Sequence, residues 1–326
     1  MDRRRGGILK LRYILLASRR HSIKKALIKV ITNPEDLTQA VLKVMERTPD
    51  ARLRDIMLSL VKHLHGFVKE VNLSEREFRE ATALIAQLGQ QTHATHNEVV
   101  LMAGSLGVSS LVCLLNNTGE AVTETTQNLL GPFWRKNAPL LANGASLLKS
   151  ASPGPALHMS AEVLDQRGQP VVGAQVDVWH CSANGLYEHQ AQARAEGQAE
   201  MNLRGRFLTD AQGCFDFWSI KPSGYPIPTD GVVGQLVRAQ DRHPMRPAHV
   251  HALIYKEGFK TLISQVYAND DTHLESDVQF GVTRAVVGDY ELQNTPCPQS
   301  ATPWYKLSFR FVMQEGEALL PRAPIQ

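Results

Sequence analysis

Two histidines, His249 and His251, stand two residues apart in the run RPAHVHALIYKEG, ahead of apolar and β-branched residues and with Gly258 closing the run. On a strand, residues i and i+2 share a face, so this spacing aims two imidazoles in one direction. Such a pair offers two nitrogen ligands to a metal, but paired strand histidines also occur as plain structural residues, and the pair alone leaves both readings open. Upstream, Tyr187 follows the glycine-containing turn of NGLYEHQ, and Tyr225 sits between a glycine and the prolines of YPIP. Proline fixes φ and removes a backbone donor, which makes YPIP a poor interior strand and a good rigid loop for holding a side chain. Each tyrosine taken separately reads as a packing residue.

The elements that must position these groups change character along the chain. NPEDLTQAVLKVMERTPD opens with Asn33 and Pro34 as N-cap and first-turn proline and continues with apolar residues at helical spacing. Helical periodicity recurs in RLRDIMLSLVKHLHGFVKEV, after the capping residue Ser74, and through THNEVVLMAGSLGVSSLVCLLNN. LLGPFWRKNAPLLANG and SASPGPAL then read as linker. Beyond residue 155 the period becomes two: LHMSAEVLD, QVDVWHC, CFDFWSI, HVHALIY, LISQVYA and KLSFRFVM are separated by turn signals such as QRGQP and KEG. This predicts an all-β sandwich preceded by helices rather than interleaved with them.

The 326 residues are 43% hydrophobic and 21% charged, ordinary globular usage and enough chain for two domains. The apolar run YILLA at 13–17 is far too short to cross a bilayer and is flanked by arginines. Cys113, Cys181, Cys214 and Cys297 form no CxxC pair, which argues against a zinc knuckle or a disulfide scaffold and favours a soluble protein of the reducing cytoplasm. The formal net charge of +3 is uneven: residues 1–33 hold ten Lys or Arg against Asp2 alone, a local +9 that leaves about −6 for the remainder. That basic extension reads as a non-essential addition, with a nucleic-acid or membrane tail or a targeting segment as alternatives. The rest of the chain has no basic stripe, and no nucleic-acid partner is expected.

Taken together, DVWHCSANGLY, RGRFLTDAQGCFDFWSIKPSGYPIPTDG and RPAHVHALI resemble the intradiol ring-cleavage dioxygenases, the family of catechol, chlorocatechol and hydroxyquinol 1,2-dioxygenases. The resemblance extends over most of 34–320 and includes LGPFW and the order Tyr, Tyr, His-x-His. It implies an α+β chain: a basic extension at 1–33, a helical dimerisation domain at 34–128, a linker at 129–154 and a catalytic β-sandwich domain at 155–326. It also implies one non-haem Fe(III) per subunit, held by Tyr187, Tyr225, His249 and His251. A phenol ionises only near pH 10 in water, so binding as phenolate at neutral pH calls for a strongly Lewis-acidic ion, which suits ferric iron. The implied reaction inserts both atoms of O2 into a catechol-type diol, breaking the bond between the two hydroxyl-bearing carbons to give a muconate or maleylacetate-type product.

By the same carry-over, Tyr225 is the tyrosinate that leaves iron when the diol binds, Arg246 stabilises carbanion character on the ring, and Gln265 stands near the iron. Leu101, Gly104, Leu129, Gly131, Pro132, Phe133, Ile227 and Pro228 correspond to positions lining the ring pocket. The family further implies a homodimer formed through the helical domain, with lipid bound at that interface. YPIPTDGVVGQLVRAQDRHPMRPAHVH and LESDVQFGV resemble the hydroxyquinol branch, although Gly104 stands where those enzymes commonly carry an aspartate that can bond a third hydroxyl. Two readings from other classes remain beside this one: a non-catalytic β-sandwich binding module, and a zinc-dependent hydrolase, which lacks the expected carboxylate or third histidine near the pair.

Overall fold

The computed structural model describes residues 30–93, 96–116, 125, 127, 128, 130–300 and 303–324. Most of the basic extension, residues 1–29, therefore lies outside the described residues. The chain divides into two compact units, one ending at Arg79 and the other beginning at Glu80.

The first unit is helical, and its helices begin where the sequence places caps. In α1 (Pro34–Met45) the Asn33 side chain accepts the Asp36 N–H at 2.8 Å, and in α2 (Ala51–Glu70) Asp50 accepts from Leu53 N at 2.7 Å. At the start of α3 (Glu75–Gln90), Ser74 N donates to the Glu77 carboxylate while Glu77 N donates back to Ser74 Oγ, a reciprocal capping box.

In the second unit, the apolar stretch 95–117 reads in sequence as one helical pattern, but it forms two helices, α4 (Glu98–Ser105) and α5 (Val108–Asn116). The break is at Gly107, whose φ of +72° is a left-handed conformation that glycine adopts without penalty and that ends a helix. Among the described residues no single helix is long and apolar enough to cross a membrane.

Two sheets follow. One contains β1 (Ala156–Asp165), β4 (Cys214–Ile220), β10 (Tyr290–Gln293) and β11 (Trp304–Met313), in the order β10-β11-β1-β4. The other contains β2 (Gln175–Trp179), β3 (Arg204–Leu208), β7 (His249–Tyr255), β8 (Leu262–Ala268) and β9 (Val287–Gly288), in the order β3-β2-β7-β8-β9. A short ladder joins β5 (Tyr225–Pro226) to β6 (Met245–Arg246). Between the sheets, Leu157, Met159 and Val163 of β1, Phe215 and Phe217 of β4 and Phe311 of β11 share one core with Val176, Val178, Val250, Ile254 and Val266. The strand alternation of period two is what delivers these side chains inward.

The β half is not purely β, as the sequence reading expects. It also contains α6 (Ala191–Ala195) and α7 (Val232–Ala239), each under three turns long, and α7 includes Gly234. Short helices carry too few repeats of the 3.6 period to stand out. The burial of Val232, Val233 and Val237 against Leu88, Ile227 and Val278 holds α7 in place.

Phe311 belongs to the last strand, pairs in parallel with the first and stacks on Phe215 with ring centroids 6.4 Å apart. Phe311→Ala is expected to lower the unfolding free energy by about 3–5 kcal/mol, seen as a lower denaturant midpoint at unchanged slope. A loss under about 1 kcal/mol would mean that the core is not packed in this way.

Candidate metal centre

Strand β7 is central in its sheet, between β2 and β8, and every residue from His249 to Ile254 is buried. Val250, Ala252 and Ile254 face the inter-sheet core. His249, His251 and Leu253 therefore face the opposite side of the sheet. Register places Trp179 and Gln265 on either side of His251, and Tyr267 beside His249. Directly opposed residues in an antiparallel pair share a face, so these five side chains form one patch. Trp179 stacks on His251 with planes 6° apart and centroids at 4.6 Å, which fixes the ring.

Two loops bring phenols to this patch. Tyr225 is held by β5, whose partner residue across the ladder is Arg246. Tyr187 comes from the turn after β2, and this turn packs so closely on the Tyr225 loop that a Cβ at Gly185 would lie 2.8 Å from Tyr225 Cβ. Gly185 has a φ of +81° besides, so both the space and the backbone there require glycine. Phe133 covers Tyr187, with centroids 4.4 Å apart.

The four polar tips meet. His249 Nε2 lies 3.1 Å from His251 Nε2 and 3.5 Å from Tyr225 Oη, which is 3.5 Å from Tyr187 Oη. His249 Nδ1 is 2.7 Å from the Pro247 carbonyl, which only accepts, so Nδ1 carries the proton and Nε2 presents a lone pair to the cluster. Burial, followed by the Arg246 charge, lowers the His249 pKa to about 3. Burial, then His249, holds His251 well below the ordinary imidazole value. Both rings are therefore neutral at pH 7. Burial pushes both phenols up, Tyr187 well above the ordinary value, with Tyr225 as its second cause.

This donor set fits a metal ion. Two neutral imidazoles and two phenols converge, and a positive charge at their meeting point would offset the burial that keeps the phenols protonated. Among the described residues no three His, Cys, Asp or Glu side chains cluster at metal-binding distance.

Arg246 is no surface salt bridge. It is buried and donates to the Asp277 carboxylate from Nε and from one terminal nitrogen, each at 3.2 Å. The same terminal nitrogen reaches Gln265 Oε1 at 3.0 Å and the Tyr267 hydroxyl. Burial opposes both charges, yet Asp277 holds Arg246 above the ordinary guanidinium value and Arg246 holds Asp277 below the ordinary carboxylate range. Asp277 escapes the sequence reading although it lies inside LESDVQFGV, because nothing local marks it as the partner of a residue 31 positions away. Further out, Glu188 is buried between Arg135 and Arg204 at 3.1 and 2.8 Å.

A cavity of about 360 Å³ opens beside the cluster. Tyr225 and Arg246 reach its wall, together with Leu101, Gly131, Pro132, Phe133, Ile227 and Pro228. Leu129 lies outside the described residues. Gly104 is not in the wall: the amide of Gln279, which is, occupies the space that a side chain at 104 would enter. His93, His96, Asn97, Ser109 and Gln279 also line the cavity, without any sequence signal that singles them out.

Known proteins resemble this chain in sequence and fold. Residues 129–315 match the family model "Dioxygenase", and residues 50–124 match "Catechol dioxygenase N terminus". The family match and the fold define a ring-cleaving dioxygenase. The chain is 37% identical over 279 residues to 6-chlorohydroxyquinol 1,2-dioxygenase of Cupriavidus pinatubonensis, covering 85% of this chain and 96% of that protein. It is 33% identical to catechol 1,2-dioxygenase of Candida albicans, covering 78% and 83% of the two chains. The solved structure of hydroxyquinol 1,2-dioxygenase from Pseudomonas putida superposes with a TM-score of 0.78 at 34% identity, over 87% of this chain and 99% of that one. The chain belongs to the intradiol ring-cleavage dioxygenase family, whose members use non-haem iron, and is an oxidoreductase that inserts both atoms of O2 into a catechol-type diol.

Asp277→Asn would leave Arg246 buried without a full counter-charge, and is expected to cost about 3 kcal/mol or more of stability at pH 7. Because the folded Asp277 carboxyl is held below its ordinary value, the pair's contribution is complete above roughly pH 4 and is lost as pH falls through the lowered folded value. Urea unfolding at pH 7 and pH 3 should therefore show a smaller acid loss in the variant than in the wild type.

Proposed function

We propose that Tyr187, Tyr225, His249 and His251 hold one Fe(III) per subunit, and that the substrate is hydroxyquinol or catechol. The observation that carries this reading is the meeting of two phenol oxygens and two imidazole nitrogens, each within 3.5 Å of the next, beside a largely apolar cavity. Bound iron supplies Lewis acidity and a template for the two diol oxygens. The relatives named above act on hydroxyquinols and catechol, which supports the substrate class.

The chain's own residues do the remainder. Phe133, Ile227 and Pro228 take up the ring and exclude water. Tyr225 reaches both the cavity and the cluster, and as the phenolate that a bound cation would favour, its Oη would take a proton from a diol hydroxyl and become the phenol. Arg246 keeps its charge through Asp277 and presents a guanidinium at the cavity wall, where it stabilises negative charge developing on the ring. Gln265 and Tyr267 fix the direction of that guanidinium. The Pro247 carbonyl sets the His249 tautomer, and Trp179 holds the His251 plane.

The helical part supports a homodimer. Leu111, Val112 and Leu115 of α5 are at least half exposed, and in the first unit so are Leu64 and Phe67 of α2, apolar side chains whose covering would favour association. A second copy or bound lipid would cover them. Light scattering at micromolar concentration is expected to give twice the chain mass; a monomer with full activity would exclude this assembly.

The two tyrosines are expected to differ. Tyr225→Phe should still load iron and keep a tyrosinate charge-transfer band while turnover falls steeply, since it removes the proton acceptor. Tyr187→Phe should load less iron and show a weaker band in the resting state, and anaerobic catechol should then abolish the band that remains. Iron analysis and visible spectra of both purified variants test this, and the reverse pattern would exchange the two roles. A colourless wild type that retains no iron would refute the metal assignment.

A further inference from the structure

Past β11 the chain changes the way it is held. The Gln314 carbonyl accepts the Lys260 N–H at 2.8 Å and Gly316 N donates to the Gly258 carbonyl at 2.9 Å, so the backbone is fixed as far as Gly316. Among the described residues no hydrogen bond or ion pair joins residues 317–324 to the rest of the protein. Glu317, Leu319, Leu320 and Arg322 are exposed. The segment nevertheless returns to the site. Ala323 packs against the apolar cluster that contains Phe133, Trp179, Tyr187 and Tyr225, and Pro324 lines the cavity.

Elsewhere the wall is tied down. The β5–β6 ladder joins Tyr225 to Arg246, Ile227 N donates to the Pro244 carbonyl at 2.9 Å, and the Phe133 carbonyl accepts from an Arg204 guanidinium nitrogen at 2.5 Å. Moving any of these breaks hydrogen bonds. Undocking residues 317–324 breaks none and uncovers only the two small apolar side chains Ala323 and Pro324. The free energy of a local opening rises with the hydrogen bonds and buried contacts it sacrifices, so this segment yields before the rest of the wall. Pro321 and Pro324 fix φ and carry no N–H, so it moves as a stiff piece and gives up little entropy on docking again. A cavity that takes a ring has to admit the diol and release the ring-opened product, and a movable wall segment serves both steps.

We propose that residues 317–324 are a strap over the cavity: docked through Ala323 and Pro324, it completes the apolar seat of the diol ring on the side of Phe133 and Tyr225, and released, it admits the diol and lets the product leave. This rests on the diol reading of the cavity given above.

The test reads the strap directly in the iron-loaded full-length protein. Ala323→Cys places a thiol at the docked end and Leu319→Cys one at the exposed middle, and alkylation of each by iodoacetamide is followed by peptide mass, anaerobically, with and without catechol. Catechol at about ten times its Kd should slow labelling of Ala323→Cys about tenfold, the linkage of a ligand that binds the closed form alone, and leave Leu319→Cys unchanged. Ala323→Glu sets a charge against the apolar cluster and should undock the strap at full chain length. Catechol association and dissociation, followed anaerobically through the tyrosinate band, should then both quicken about threefold or more, with KM raised more than kcat is lowered. Pro324→Gly, which introduces no charge, should shift both rates in the same direction. Labelling of Ala323→Cys unchanged by catechol within about twofold, or binding rates in both Ala323→Glu and Pro324→Gly within about twofold of the wild type, would overturn the strap and leave ring cleavage standing. Wild-type protein that neither binds a diol nor takes up oxygen with one would overturn the reading of the cavity, and the strap with it.

Discussion

Burial of β7 on both faces is the constraint from which the rest follows. A strand in the middle of a sandwich sheet ordinarily buries one face and shows the other to water. Here residues 130–135 and the loops carrying Tyr187 and Tyr225 close the outer face as well, and His249 and His251 are left at or below 1% exposure. Two imidazoles out of water are neutral, and neutral imidazoles with directed lone pairs are metal ligands. The same cover places two phenols against them. Without the cover, the histidines would be an exposed pair that changes charge near pH 6–7.

This arrangement has an electrostatic cost that is met in layers. Nearest the cluster, Arg246 and Asp277 neutralise each other while the guanidinium still reaches the cavity. Beyond Tyr187, Arg204 lies 6.0 Å from its ring centroid and pairs with Glu188, which also holds Arg135. The two guanidiniums are met by the buried Glu188 and, at Arg135, by the exposed Glu200 as well. Burial raises both phenols and the Arg246 charge opposes it only in part, so a bound cation would complete the shift toward phenolate that Arg246 begins.

Much of this was legible before any coordinates. The caps at Asn33 and Ser74, the change of period near 155 and six of the strands follow from local chemistry, and His-x-His on a strand fixes a shared face by geometry alone. What could not be read is what depends on distant pairing. Asp277 is an ordinary acidic residue until β6 and the loop after β8 bring it to Arg246. Trp179 is an ordinary sandwich tryptophan until register sets it against His251. The helix α7 is short and interrupted by glycine, and its burial decides its conformation more than its propensity does. The family resemblance supplied the ligand set, because Tyr187 and Tyr225, 38 residues apart on separate loops, carry no spacing rule of their own.

Gly104 shows how a positional correspondence can mislead where geometry does not. The family resemblance sets Gly104 against a carboxylate position. In the fold that position is already full, since the Gln279 amide lies where the carboxylate stem would start. A carboxylate carried by a helix and an amide carried by a facing loop can both put an oxygen acceptor in an apolar wall, but they differ in charge. A buried carboxylate needs a compensating cation or gives up its charge, whereas an amide needs only hydrogen bonds. With Arg246 already committed to Asp277, an amide in the wall adds polarity without competing for the guanidinium.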